Sequence, residues 1–160
     1  NKERNKKIIR YSSIGAAGII LVGVLISIMR TGVEKKDLVL STIDKGMNES
    51  YEWTVSMVKQ ELKKDFQGVE EDLEKLQQVI DSGKIRPKKK EEWMAIGITI
   101  CAILANEIDG MEWMTLIDGN REAPLLRYKD RTIDPMKLTW SRVKAGEPCN
   151  VVEEYKKCLD

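Results

Sequence analysis

The sequence predicts the α+β fold class, with an N-terminal transmembrane helix, a helical neck and a small three-stranded antiparallel sheet packed by helices. Two observations support this prediction. A long uncharged segment lies near the N-terminus, and after residue 110 the apolar residues change from steps of three or four to alternation. The predicted division is a basic tail over 1–10, a transmembrane helix over 11–30, a helical neck over 31–68 and a small α+β domain over 69–160.

The first element is a run without charged residues over 11–29. As a helix this run would extend about 28 Å, close to the roughly 30 Å hydrocarbon core of a bilayer. Its Leu, Ile and Val residues fall on every face, which is not typical of a helix buried in a soluble protein. A cleaved signal peptide is the alternative, but the run ends at Ile28-Met29, directly before Arg30, without the small residue that precedes a cleavage site. The sequence therefore predicts an uncleaved anchor.

The charges that flank this run predict its orientation. Five Lys or Arg residues lie in 1–10, whereas residues 30–39 hold three. Because positive charge concentrates on the cytoplasmic side, we expect a single pass through the bacterial inner membrane with the N-terminus in the cytoplasm. The C-terminal domain would then be periplasmic or extracellular.

The domain beyond the anchor is mildly acidic. The chain carries +1, of which residues 1–10 contribute +4 and Arg30 one more, which leaves −4 for residues 31–160. Nucleic-acid binding proteins concentrate Lys and Arg, so we expect no nucleic-acid partner. The expected partners are the bilayer and other envelope proteins or a second copy of the chain.

The predicted neck begins a long helical pattern. Apolar residues recur in steps of three or four from Leu40 to Ile80, and Gly46 and Gly68 interrupt them. Both one long helix and two helices broken near Gly68 fit this pattern, since each Gly costs about 1 kcal/mol in a helix. These apolar residues form one stripe along the helix. The stripe packs either on the domain's own core or, if the helix is a stalk, against a partner.

The remaining elements follow from changes in the apolar pattern. Residues 89–108 are apolar around nearly the whole helix, which predicts the central buried helix of the domain, with Cys101 as a small buried hydrophobic residue. Three strands are predicted at 112–117, 123–128 and 131–133, and two further helices at 136–144 and 151–159.

Several short motifs occur in a fixed order. They are Ile96-Gly97, Gly110-Met111-Glu112-Trp113, a turn at Gly119, Leu125-Leu126-Arg127, Ile133-Asp134-Pro135, and Arg142 followed by Gly146-Glu147. With this order and spacing, residues from about 70 to 150 resemble the bacterial family named domain of unknown function 3806. The resemblance implies a small α+β module, and it carries over no catalytic residue.

The sequence predicts no catalytic, cofactor-binding or metal-binding residue. It contains no His, which excludes imidazole-based triads and His-ligated zinc, and three Cys are too few for a four-thiolate zinc site. Carboxylates that could support acid–base hydrolysis gather near the end of the central helix. They are Glu107, Asp109, Glu112 and Asp118. Solvation of a helix end and turn formation explain the same residues.

Two groups of residues are candidates for a role other than packing in the core, one in binding and the other in a disulfide bond. Candidate interaction or pocket residues are Trp113, Arg127, Trp140 and Arg142. Cys149 and Cys158 are a candidate disulfide in an oxidising compartment. One continuous helix would place their Cα atoms about 13 Å apart, beyond the roughly 7 Å that a disulfide bridges, so both the paired and the free states stay open.

These observations predict a single-pass envelope protein that acts as a binding or assembly module, such as an accessory subunit, and not as an enzyme. Two alternatives remain, a membrane-anchored hydrolase that uses carboxylates and an inhibitor or immunity-like protein that binds one partner.

Overall fold

A computed structural model describes residues 35–118 and 121–160. The predicted basic tail (1–10) and transmembrane helix (11–30) lie outside these residues. Within the described part of the chain, no helix combines the length and the apolar character needed to cross a bilayer.

Helices precede and follow a small sheet in the described chain. In order the elements are α1 (Lys35–Leu62), α2 (Asp72–Asp81), α3 (Lys90–Glu107), β1 (Glu112–Asp118), β2 (Arg121–Tyr128), β3 (Arg131–Ile133), α4 (Trp140–Lys144) and α5 (Val151–Lys157). The strands form one antiparallel sheet in the order β1-β2-β3. The predicted α+β class and its three-stranded antiparallel sheet are confirmed.

Helix α3 is the centre of the fold. It contacts α1, α4 and α5, and its side chains are buried from Ala95 to Leu104. This burial follows from the apolar residues around the whole cylinder, because a helix surrounded by other elements needs no polar face. Cys101 is fully buried among them.

The second half of α1 belongs to the core. Met47, Tyr51 and Val58 are buried in the main apolar cluster or beside it, and the hydroxyl oxygens of Thr54 and Thr99 lie 2.9 Å apart between α1 and α3. The buried residues thus begin well before residue 69, where the neck was predicted to give way to the domain. The apolar stripe packs on the domain's own core because α3 offers α1 an apolar face.

A turn separates α1 from α2, so residues 40–80 form two helices. Lys63 and Gly68 adopt positive φ angles of 56° and 76°, which end the helical path. The buried carboxylate of Asp72 accepts hydrogen bonds from the backbone N–H groups of Gln67, Gly68 and Val69. Asp72 therefore satisfies donors that the turn would otherwise bury without partners.

The sheet has two different faces. Trp113 lies opposite Leu126 in the register, and both are buried on the face that meets the helices. Glu112, Met114 and Leu116 point to the opposite face, because successive side chains of a strand alternate. We call this second face the outer face of the sheet.

Helix α4 begins later than the sequence pattern predicts. The pattern predicts a helix over 136–144, whereas the structure forms turns up to Thr139 and a helix only from Trp140. Asp134 Oδ1 accepts the backbone N–H of Met136 at 2.9 Å, and the Thr139 hydroxyl donates to the carbonyl oxygen of Trp93 at 2.6 Å. The first bond stabilises the turn itself, and the second holds the turn segment against α3 before the helix starts.

Candidate functional site

A groove lies between β3, α4 and α5, with a volume of about 570 Å³. Its charged lining comprises Arg131, Asp134, Lys137, Arg142, Glu147, Glu154 and Lys157. Ile133, Leu138 and Ala145 contribute apolar surface, and Thr132 and Ser141 contribute hydroxyl groups. Ligand sites commonly combine such apolar walls with a few placed polar groups, and volumes of about 300–1,000 Å³ are usual.

An ion-pair network centred on Arg142 and Glu154 joins two walls of the groove. Arg142 Nε lies 3.1 Å from Glu154 Oε1, and Arg142 Nη1 donates to Glu147 Oε2 at 2.7 Å. The hydrogen bond that Arg142 donates to Glu147, together with the nearby charge of Glu154, raises the pKa of Arg142. Lys157 Nζ is 3.3 Å from Glu154 Oε1. Glu154 is buried, so these two cations supply the partners that a buried carboxylate needs.

The other cations of the groove are held more loosely. Lys137 Nζ lies 4.0 Å from Asp134 Oδ2. Arg131 Nη2 donates to the carbonyl oxygen of Cys158 at 3.3 Å, and no carboxylate among the described residues forms an ion pair with it. The lining thus holds four cationic and three anionic side chains, and Arg131 is the cation whose charge is left uncompensated.

Both cysteines of the candidate disulfide are free, buried thiols, and Cys158 also lines the groove. Helix α5 lies between them, and Cys149 precedes its extended N-cap residue Asn150, so residues 149–158 do not form the one continuous helix considered from the sequence. The thiol of Cys158 donates to the carbonyl oxygen of Glu154 at 3.2 Å. Burial raises the pKa of Cys149 and that of Cys158 to about 11.

The structure brings one of the four candidate interaction residues into the groove, which is Arg142. Trp113 is buried on the inner face of β1, and its indole N–H has no hydrogen-bond partner among the described residues. Trp140 packs against the core at the start of α4. Arg127 lies on the outer face of the sheet, where Arg127 Nη2 donates to Glu112 Oε2 at 2.7 Å.

Of the carboxylates near the end of α3, Glu107, Asp109 and Glu112 do not line the groove. Glu107 and Asp109 are exposed, and Glu112 is held by Arg127 directly across the β1–β2 ladder. Opposite charges at such a cross-strand position stabilise a sheet. In the described residues, no group of three or more acidic or cysteine side chains has the arrangement of a metal site.

The hairpin of β1 and β2 carries exposed apolar side chains that do not line the groove. Leu116 is 48% exposed and Ile117 is 52% exposed. They are successive residues of one strand, so they point to opposite faces of the sheet. On the outer face, Leu116 lies beside Met114, Ala123 and Leu125, which are half-buried.

Sequence reasoning missed most of the groove. Arg131, Lys137, Glu154 and Lys157 were not candidates, because exposed charged residues are common and 26 positions separate Arg131 from Lys157. The spacing of Glu154 and Lys157 on one helix was a usable signal, since residues three apart are neighbours. No local signal linked that pair to β3.

Residues 72–155 match the family described as Domain of unknown function (DUF3806). The chain belongs to this family. The DUF3806 match begins at the start of α2 and ends within α5, so it includes the sheet, the central helix and most of the groove. The predicted resemblance over about 70–150 is confirmed.

A protein from Bacteroides thetaiotaomicron VPI-5482 is similar to this DUF3806 chain, and its crystal structure extends to 1.50 Å resolution. The two share 71% sequence identity with a TM-score of 0.72. The similarity covers 74% of this chain and 44% of the solved chain, so this chain spans less than half the length of that protein. No curated protein matches the chain.

Proposed function

We propose that this DUF3806 protein is a membrane-anchored module of the bacterial cell envelope that binds or assembles with another envelope protein through its β1–β2 hairpin. In this proposal the protein is an accessory subunit and not an enzyme. It crosses the inner membrane once, with the N-terminus in the cytoplasm and the DUF3806 domain in the periplasm or outside the cell.

The exposed end of the hairpin is the observation that carries the binding role. Leu116 and Ile117 remain about half exposed, whereas Trp113 on the same strand is buried in the core. Beyond its pairing with β2, β1 has no further strand partner in the described sheet. A free edge beside contiguous apolar side chains is a typical surface for partner binding.

The outer face of the sheet also has charged groups that can orient a partner. The Glu112–Arg127 pair borders the apolar side chains of Met114 and Leu125. Both charged side chains are partly exposed, and polar groups at the rim of an apolar patch are usual in protein interfaces. A partner with a complementary strand would therefore meet backbone donors and acceptors, apolar side chains and a charged border.

The anchor is supported by the uncharged run over 11–29 and by the excess of positive charge in 1–10. Helix α1 begins at Lys35 and continues without interruption into the core. Its first twelve residues, before Met47, extend about 18 Å. A helix of this kind would hold the domain at a fixed distance from the membrane surface, within reach of other membrane proteins.

Two measurements test this proposal. The first is protease protection of a C-terminal tag in intact cells, spheroplasts and lysed spheroplasts. We expect digestion once the outer face of the inner membrane is exposed. Protection until lysis would overturn the outward orientation and move the domain to the cytoplasm.

The second measurement is photo-crosslinking in cells from a reactive residue placed at position 117. We expect a defined adduct with an envelope protein or with a second copy, and the same probe at exposed position 153 on α5 is the matched control. Leu116→Lys should abolish the adduct without changing protein abundance. Equal adducts from both positions, or none from either, would contradict a hairpin interface. One stoichiometric soluble partner would instead favour the inhibitor or immunity-like alternative.

A further inference from the structure

The groove between β3, α4 and α5 lies on different elements from the exposed end of the hairpin, and the proposed assembly role makes no use of it. Its most fixed group is the Arg142 guanidinium, which Glu147 and Glu154 hold from two nitrogens. A guanidinium fixed in this way loses little side-chain entropy when a further oxygen approaches it.

The charges around Arg142 favour an anion over a cation. Glu147 and Glu154 already face Arg142, and Asp134 accepts the backbone N–H of Met136 in addition to facing Lys137. These carboxylates are therefore committed to partners within the protein. Arg131 has a carbonyl oxygen as its acceptor, which leaves its positive charge available.

The rest of the lining limits the size and character of the anion. Ile133, Leu138 and Ala145 supply apolar surface for a short aliphatic body, and Thr132 and Ser141 supply hydroxyl groups. Four cations against three carboxylates leave the lining a net charge of +1, too little to hold a polyanion such as a nucleic acid. The volume of about 570 Å³ suits a ligand of a few residues or a small acid.

We propose that this groove binds a small ligand that presents a carboxylate to Arg131, Arg142 and Lys157 and an aliphatic body to Ile133 and Leu138. The carboxylate belongs either to a free organic acid or to the C-terminus of a short peptide. Charge-assisted hydrogen bonds from Arg and Lys would supply much of the affinity. An inorganic anion would bind more weakly, because it has no aliphatic body to contact the apolar wall.

Calorimetric titration of the full chain in a mild detergent tests this assignment with three probes, which are glutarate, N-acetyl-alanyl-alanine and its C-terminal amide. We expect saturable binding of at least one acid at one site per chain, and at least about tenfold weaker binding of the amide, because the amide loses the ionic hydrogen bonds. Binding of glutarate alone identifies a free acid, and binding of the peptide alone identifies a peptide C-terminus.

The double variant Arg131→Gln/Lys157→Gln should weaken binding of the acid by at least about tenfold. Lys156→Gln is the matched control, because Lys156 is exposed on α5 and does not line the groove. Arg131→Lys keeps the charge and should retain most of the affinity, which separates a binding role from a structural one. Failure of both acids to saturate, equal binding of the amide, or equal binding by the double variant would overturn the proposal.

Discussion

The carbonyl oxygen of Pro135 occupies the space that a Cβ atom at Gly97 would need. Gly97 lies in the middle of α3, where glycine lowers helix stability by about 1 kcal/mol relative to alanine. The fold accepts this cost because the missing side chain lets the segment after β3 approach the helix axis. The Thr139 hydroxyl then reaches the carbonyl oxygen of Trp93, one turn earlier on α3.

Gly97→Ala should lower the free energy of unfolding by about 1–3 kcal/mol, the usual range for overpacking. The added methyl group would force the Pro135 backbone away from α3 and stretch the hydrogen bond between Thr139 and Trp93. Denaturant unfolding followed by circular dichroism measures this change.

Gly46→Ala is the matched control for that experiment. Gly46 also lies within a helix, but beyond the helix's own backbone no atom of the described residues lies within 4 Å of a Cβ added there. We expect this substitution to raise the free energy of unfolding by up to about 1 kcal/mol, because alanine has the higher helix propensity. If both variants shift stability in the same direction and by the same amount, the close approach of Pro135 to Gly97 does not constrain the fold.

Much of this fold was predictable from local sequence patterns, whereas the close approach of Pro135 to Gly97 was not. The apolar surface around the whole of residues 89–108 predicted the buried helix, and the third strand was predicted with the bounds that β3 has, Arg131–Ile133. The late start of α4 accompanies a hydrogen bond to α3 from Thr139 to Trp93, 46 positions away in the chain. Periodicity within one segment contains no information about such distant partners.

The same physical limit explains what was missed at the groove. Arg142 was a candidate, but its partner Glu154 lies on another helix and across a turn. A buried carboxylate and an exposed one look the same in the sequence. The packing of α5 against α2 and α3 and the ion pair with Arg142 distinguish Glu154 from Glu153. The sequence predicts a neck where α1 lies for a related reason. An apolar stripe shows that a helix packs against something, but it does not show which surface the helix packs against.

Glu154→Gln should lower the free energy of unfolding by about 1–3 kcal/mol, because it removes the negative charge that Arg142 and Lys157 share near the protein interior. Thermal and denaturant unfolding measure the loss. Glu153→Gln, at the neighbouring exposed position, should change stability by less than about 0.5 kcal/mol. Equal losses for the two variants would show that removing either negative charge from α5 has the same effect. The Arg142–Glu154 ion pair would then add no stability of its own.

The buried thiols predict how stability depends on alkaline pH. Burial raises the pKa of both Cys149 and Cys158 from 9.0 to about 11. Above pH 9 the unfolded chain therefore releases thiol protons that the folded chain retains, so unfolding becomes more favourable as pH rises. The stabilising contribution is complete below pH 9 and is lost as the pH passes through 11.

Cys149→Ala isolates this effect from the other groups that titrate in the same range, such as Tyr155, whose pKa burial raises to about 12. The variant should be less stable than the natural protein at pH 7, because a buried side chain becomes smaller. Its melting temperature should nevertheless fall less steeply between pH 8 and pH 11, since one of the shifted thiols is gone. Melting curves of both proteins at matched ionic strength and under reducing conditions measure the two slopes. Parallel slopes would mean that the Cys149 thiol titrates in the folded protein as it does in the unfolded chain, and they would contradict its burial beside α5.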